Sequence, residues 1–377
     1  MKIPIKITIV QGAFLPVPPI LGGAVEKMWY GLAQEFVNQG HEVIYISKRY
    51  LGNATFEFDN EINHIRVKGY KTPSSLILLK ILDLFYTLRV LKNIPSNTDI
   101  IVSNTFWLPI LLSSNNKRKC LIDVARMPRF QMKLYSNNAV FRANSNVVSK
   151  AIRAKINKKY IDKVIIIPNT LPYKNIEKID FALKQKIILY TGRIHPEKGI
   201  DILIESFKLL KNNDWQLYLV GPYSVEGGGG GINYLNYLKS ISIDSNIIFR
   251  EPIFNANKLN SIYLKSSIFV YPSIAEKGET FGVSPLEAMS CGCVTIVSNL
   301  ECFKDFIFPD INGLIFDHRS KDRIQNLFNI LVKLIENPIL LHSLSREALK
   351  VNITHSNETI AANFLNEFEK IITSNSL

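Results

Sequence analysis

The 377 residues are 47% hydrophobic and 20% charged, the balance of a folded globular chain and more than one ordinary core accommodates. No apolar run reaches the roughly 18–20 residues of a spanning helix, and Cys120, Cys291, Cys293 and Cys302 fit neither a zinc spacing nor a disulfide framework. The net charge of +13 is uneven: residues 1–163 hold 24 Lys/Arg against 10 Asp/Glu, and the remainder 21 against 22.

A basic half joined to a neutral one directs the first half at something anionic. Nucleic acid is not expected, because no recognition motif and no basic–aromatic interleaving is present. A bilayer surface carrying anionic lipid is the preferred partner; a basic surface with no particular partner is the alternative.

The opening MKIPIKITIV reads as a first strand rather than a signal peptide, so a cytoplasmic protein is expected. Strands are expected at 5–10, 42–47, 62–67, 99–103 and 120–124, with helices at 23–38 and 75–93 between them. Strands alternating with helices imply a parallel sheet covered on both faces. The segment SLILLKILDLFYTLRVLKN, 75–93, allows two readings, an interfacial membrane helix or an ordinary helix covering the sheet. Its length and position favour the second.

Proline-marked turns near Pro168–Pro172 place a boundary there. Beyond it the pattern repeats, with strands at 186–191, 215–220, 246–249, 268–271 and 293–297. Helices follow at 198–211, 232–241, 256–265, 283–290, 320–336 and 338–350. The expected organisation is 1–170, 171–357 and a last helix at 358–377. That helix is polar enough for the surface and is a candidate to return to the first domain.

Two blocks carry chemistry. In TGRIHPEKGIDILIESF, 191–207, a strand ends, turns at Gly192 and opens a helix after Lys198. Such a loop sets Arg193, Lys198 and a helix N-terminus in the crevice at the sheet's carboxyl edge, as a diphosphate requires. Arg supplies a bidentate fork and Lys a point charge. Solvated turn charges are the competing explanation. In ETFGVSPLEAMSCG, 279–292, Glu279 precedes a helix that contains Glu287. A carboxylate there accepts hydrogen bonds from vicinal sugar hydroxyls, and the amides of Phe281, Gly282 and Val283 can help hold the sugar. A helix-capping acid is the alternative. The run Gly227–Gly231 lacks the Lys-Ser/Thr of a P-loop and reads as a flexible loop.

Together with PILGGAVEKMWYGLAQEFVNQGHEV (19–43), LYLVGP (217–222), IYLKSSIFVYPSIAEKGETFGVSPLEAMSCG (262–292) and INGLIFD (311–317), these blocks resemble glycosyltransferase family 4, the group 1 glycosyltransferases. The resemblance implies an α/β chain of the GT-B fold, two Rossmann-like domains facing a central cleft. It implies a retaining, metal-independent transfer of sugar from a nucleotide-diphosphate donor, with no cofactor.

By the same resemblance, Arg193 and Lys198 match the diphosphate-binding pair. Glu287 matches the glutamate on the ribose hydroxyls, and Glu279 the one near the anomeric centre. Gly22 and Gly23 match the glycine loop after the first strand, where the backbone must come close to the donor. Relatives often carry a histidine at the end of the strand 120–124. Here Asp123 stands in that place, leaving Asp123 or Arg126 as substitutes. Arg126 and Arg129 could also meet an anionic acceptor such as a lipid-linked diphosphate, or be solvated loop charges.

The expected activity is transfer from a nucleotide sugar, with UDP preferred, to a glycan or lipid-linked saccharide in surface polysaccharide synthesis. The site would work in the cytoplasm, at the membrane's cytoplasmic face. The alternatives are a GT-B epimerase or hydrolase and a non-catalytic scaffold subunit. A nicotinamide dehydrogenase is excluded because VQGAFLPVPPILGG supplies no G-x-G-x-x-G.

Overall fold

The computed structural model describes residues 3–52, 54–135, 139–172, 179–211, 214–243, 245–253 and 255–376; Leu377, the expected end of the last helix, lies outside them. The chain forms two compact units, Met1–Pro172 with His355–Leu377, and Tyr173–Thr354.

The first unit contains β1 (Lys6–Val10), β2 (Glu42–Lys48), β3 (Phe56–Asp59), β4 (Ile62–Val67), β5 (Ile100–Ser103), β6 (Cys120–Val124), β7 (Val140–Ala143) and β8 (Val164–Ile166). Their order is β3-β4-β2-β1-β5-β6-β7-β8, and β3 is the antiparallel strand, hairpinned to β4. Alternate residues feed two cores. Val43 and Tyr45 join Trp29, Phe36 and Phe364 on one face; Ile44 and Ile46 join Tyr86, Val90 and Ile122 on the other. Both faces of a parallel sheet are thus covered, so its strands read as continuous apolar runs.

The sequence pattern missed β3 and β7. FEFD is exposed and short, and β7 carries Arg142 in its middle.

The helix Leu76–Leu91 packs on this sheet, but with its polarity inverted. Asp83, Tyr86, Thr87 and Val90 face inward, while Leu76, Ile77, Leu78, Ile81, Phe85 and Leu88 are exposed. The last helix, Asn357–Ser376, is no mere surface element. Phe364 and Phe368 are fully buried, with Trp29 4.9 Å from Phe364 and Phe36 5.7 Å from Phe368 between ring centres. Where the chain leaves and re-enters this unit, Leu171 donates to the His355 carbonyl at 2.8 Å and Thr170 Oγ1 to Asn357 Oδ1 at 2.7 Å.

The second unit holds β9 (Gln185–Thr191), β10 (Gln216–Val220), β11 (Ile247–Arg250), β12 (Ser266–Tyr271), β13 (Val294–Ser298) and β14 (Leu314–Phe316). All pairings are parallel, in the order β11-β10-β9-β12-β13-β14. The order in which the chain lays down strands reverses between β9 and β12, and in such sheets ligands bind outside the carboxyl ends of the strands at that switch point.

His64 is 1% exposed, between the rings of Tyr30 and Tyr45, and neither ring nitrogen has a hydrogen-bond partner. Burial holds its pKa down at about 4, as it does for His355. Folded imidazoles refuse protons that unfolded ones, at 6.5, accept; stability is therefore lost as pH falls from about 6.5 to about 4. Asp83, raised by burial to about 6, acts in the opposite sense, so the parent curve is a sum. Relative to the parent, His64→Phe should remove up to ~1.4 kcal/mol per pH unit of that slope, read from urea unfolding across this range.

Candidate active site at the switch point of the second unit

After β9 the chain turns at Gly192, runs through the short 3-10 turn Pro196–Lys198 and enters the helix Ile200–Leu209 at Gly199. Gly199 has φ +62, and a Cβ on it would stand 2.3 Å from the Pro272 carbonyl oxygen. Glycine is therefore what lets this loop lie against the one that follows β12. That second loop ends at Gly282, φ +92, which opens the helix Val283–Ser290.

The two loops are joined by charge. Lys198 Nζ is 2.7 Å from Glu279 Oε2 and 3.8 Å from Glu197 Oε1, and 5.3 Å from the Tyr271 ring centre. An ammonium has three donors, and of these two carboxylates Glu279 alone is within hydrogen-bond distance, which leaves donor capacity for an added anion. Arg193 donates to the Gly228 carbonyl at 2.8 Å and to Glu197 Oε1 at 2.7 Å. Beneath it the Tyr190 hydroxyl donates to the Arg193 carbonyl at 2.8 Å, and Tyr190 stacks on Tyr271.

The glycine run is more ordered than its composition implied. Gly228, Gly229 and Gly230 donate to Val225, Ser224 and Ile194 carbonyls, which folds the segment over the Arg193 side chain.

Glu287 is 8% exposed and accepts from the Tyr263 hydroxyl at 3.1 Å; Tyr263 is in turn 2.5 Å from Thr191 Oγ1. Neither Tyr263 nor Thr191 stood out in the sequence, where they look like core residues. Phe281 is buried and stacks on Phe306, so its ring is not offered to a ligand. The second unit thus gathers Arg193, Lys198, Glu279, Gly282, Val283 and Glu287 at one sheet edge. Two cations, two carboxylates and two helix N-termini can hold a polyanion and a hydroxyl-rich group side by side.

The remaining residues lie in the first unit. Gly22 and Gly23 have φ +79 and +99, and Gly23 begins the helix Ala24–Asn38. A Cβ there would meet the Glu26 carboxylate at 2.2 Å. Glu26 was not anticipated: burial raises its pKa, against its own amide, a hydrogen bond with Gln11 and the charge of Arg126. Arg126 and Arg129 are exposed.

Asp123 requires a correction. Its side chain is fully buried, 2.7 Å from Arg142 Nη1 and accepting from Trp29 Nε1 at 2.8 Å. Arg142, also fully buried, donates further to the Ile167 carbonyl and Asn169. With both oxygens engaged, Asp123 anchors a buried arginine instead of substituting for a histidine on substrate.

Among the described residues, no group of three His, Cys, Asp or Glu could hold a metal ion, and no single helix is long and apolar enough to cross a membrane.

Residues 173–351 match the family model for glycosyl transferases group 1. The second unit accordingly carries a group 1 glycosyl transferase domain, and the chain has the GT-B fold. Among curated relatives, an uncharacterized glycosyltransferase of Methanocaldococcus jannaschii is 26% identical over 81% of this chain and 84% of its own. A lipopolysaccharide 1,2-N-acetylglucosaminetransferase of Salmonella typhimurium is 27% identical over 42% of each chain. Of solved structures, sucrose-phosphate synthase from Thermosynechococcus elongatus superposes with TM-score 0.75 at 16% identity, over 98% of this chain and all of the other. Anabaena HepE in complex with UDP and glucose gives 0.69 at 16% identity, over 97% and 100%.

Asp123→Ala would strand Arg142 without its counterion, and breaking a buried pair costs about 3–5 kcal/mol. Chemical denaturation should show that loss, with nucleotide affinity of the folded fraction unchanged. A fully stable variant with weakened donor binding would restore Asp123 to the site.

Proposed function

We propose that the enzyme transfers a sugar, with retention of anomeric configuration, from a nucleotide-diphosphate sugar to a glycan or lipid-linked saccharide. UDP is the preferred nucleotide, and the product enters surface polysaccharide. The observation that carries this is the Lys198–Glu279 pair at 2.7 Å, which sets a phosphate-binding cation beside a sugar-binding carboxylate at the switch point. The UDP and glucose held by the HepE structure support the donor class, and the lipopolysaccharide activity named for the Salmonella relative supports the acceptor class.

In this reading the anomeric carbon–oxygen bond to the diphosphate breaks as negative charge collects on the leaving group. Arg193, Lys198 and the N-terminus of helix Ile200–Leu209 are fixed donors aimed at that charge, which is commonly the largest catalytic contribution. They do the neutralising without a metal. The acceptor hydroxyl bonds to the anomeric carbon on the same face, and its proton passes to the departing phosphate. Glu287 holds the ribose hydroxyls, Glu279 the transferred sugar, and the amides of Gly282 and Val283 assist it. The Gly22–Gly23 backbone approaches the donor, and the exposed Arg126 and Arg129 meet an anionic acceptor. The enzyme works in the cytoplasm, at the membrane's cytoplasmic face.

Ligand that binds only the folded state raises the melting midpoint by mass action. UDP or a UDP-sugar, without added metal, should do so, and Glu287→Ala should abolish the shift. A site indifferent to every nucleoside diphosphate would instead indicate a scaffold subunit. Lys198→Ala should cut transfer about 10²–10³-fold, and near-parental turnover would remove Lys198 from the phosphate site.

A further inference from the structure

The helix Leu76–Leu91 presents the wrong face to water. Its acid, Asp83, is turned inward, where it accepts from the Phe106 amide at 3.1 Å. Ile77 is 75% and Leu76 64% exposed, and Leu78, Ile81, Phe85 and Leu88 continue the stripe at helical spacing. A soluble protein gains nothing by wetting six large apolar side chains on one element; contiguous patches of this kind mark interaction sites.

Neighbouring elements extend the surface. Lys80 Nζ lies 3.5 Å from the Phe106 ring centre, and Phe106 touches the Phe130 ring at 6.4 Å. Phe130, exposed, therefore stands beside the helix, and exposed Leu134 ends the same short turn. On the same sheet face, β3 adds exposed Phe56 and Phe58: Phe56 pairs with Ile65, which packs in the core shared with Tyr86 and Val90.

Cations flank the helix, while the acids Glu57 and Glu61 lie on the β3–β4 hairpin. Lys71, Lys92, Arg129 and Lys133 are exposed, and neither the helix nor the segment 125–135 bears an exposed acid. The turn at 130–133 also walls a pocket of about 390 Å³ with Lys133, Tyr135 and Tyr160, whose ammonium and phenols suit a headgroup phosphate.

We propose that the exposed face of helix Leu76–Leu91, with Phe130 and Leu134, docks the enzyme in the plane of a bilayer that carries anionic lipid. The helix has 16 residues, about 24 Å at 1.5 Å each, too short to cross the roughly 30 Å hydrocarbon core. Lying flat, it sinks its apolar side below the headgroups while the flanking cations stay among the phosphates. This deepens the membrane placement proposed above by naming the surface, and it does not depend on the donor chemistry.

The test is co-sedimentation of the full chain with phosphatidylcholine vesicles, with and without about one-third phosphatidylglycerol. The parent should pellet with the anionic vesicles and be released in part by high salt. Ile77→Glu combined with Phe85→Glu should lower partitioning at least about tenfold. Ile339→Glu, an equally exposed change in the second unit, should bind like the parent. Both positions are exposed, and an unaltered melting curve and UDP-induced shift would show that the double variant keeps its fold and donor site. Failure of the parent to bind anionic vesicles, or parental binding by the double variant, overturns the proposal. So does a parent dimer that the double variant splits, which would mean that the face pairs two copies. Vesicle binding by a chain that binds no nucleotide would leave the docking surface standing and remove the donor reading instead.

Discussion

Two loops can carry the chemistry of the second unit because they touch. Gly199 lies so close to the Pro272 carbonyl that any side chain would collide with it, and one residue earlier Lys198 reaches across to Glu279. β9 and β12 are neighbours in the sheet, so their carboxyl ends open at the same place. The glycine closes the gap, and the ion pair then joins a cation from one loop to a carboxylate from the other. Without that approach, the cation and the carboxylate would belong to separate surfaces.

The supports behind these residues are as specific as the residues themselves. Tyr190 holds the Arg193 carbonyl from below, the glycine run folds over the Arg193 side chain from above, and Tyr263 orients Glu287. A carboxylate or guanidinium free to change rotamer would lose much of its effect on developing charge, because electrostatic stabilisation depends on donors already in position. The buried Arg142 of the first unit shows the same economy in a structural setting. Asp123, Asn169 and the Ile167 carbonyl all serve one guanidinium, tying β6 and β7 to the segment that leaves the unit.

The first unit illustrates how a periodic pattern can be correct about an element and silent about its orientation. The segment 75–93 reads as a helix from its composition, and a helix is there. Burial of Asp83, Tyr86 and Thr87 with Leu and Ile outward is a choice made by the sheet it packs on. Hydrophobicity alone would have turned the other face inward. The last helix poses the same problem in reverse. It looks polar along its length, yet Ile360, Phe364 and Phe368 are spaced to fill the core beside Trp29 and Phe36.

By itself, the sequence determined the alternating strand–helix order, the two loops with Arg193, Lys198, Glu279 and Glu287, and the basic character of the first half. These are local properties: apolar runs, glycines at turns and charges counted along the chain. It could not reveal β3 or β7, because a strand of four residues with polar members is defined by its neighbours and not by its own composition. Nor could it place Asp123, whose role depends on an arginine 19 positions away. Tyr263, Thr191, Glu26 and the outward face of helix Leu76–Leu91 were likewise settled only by tertiary structure. Burial and partnership depend on what the rest of the chain brings alongside, and no window of sequence contains that.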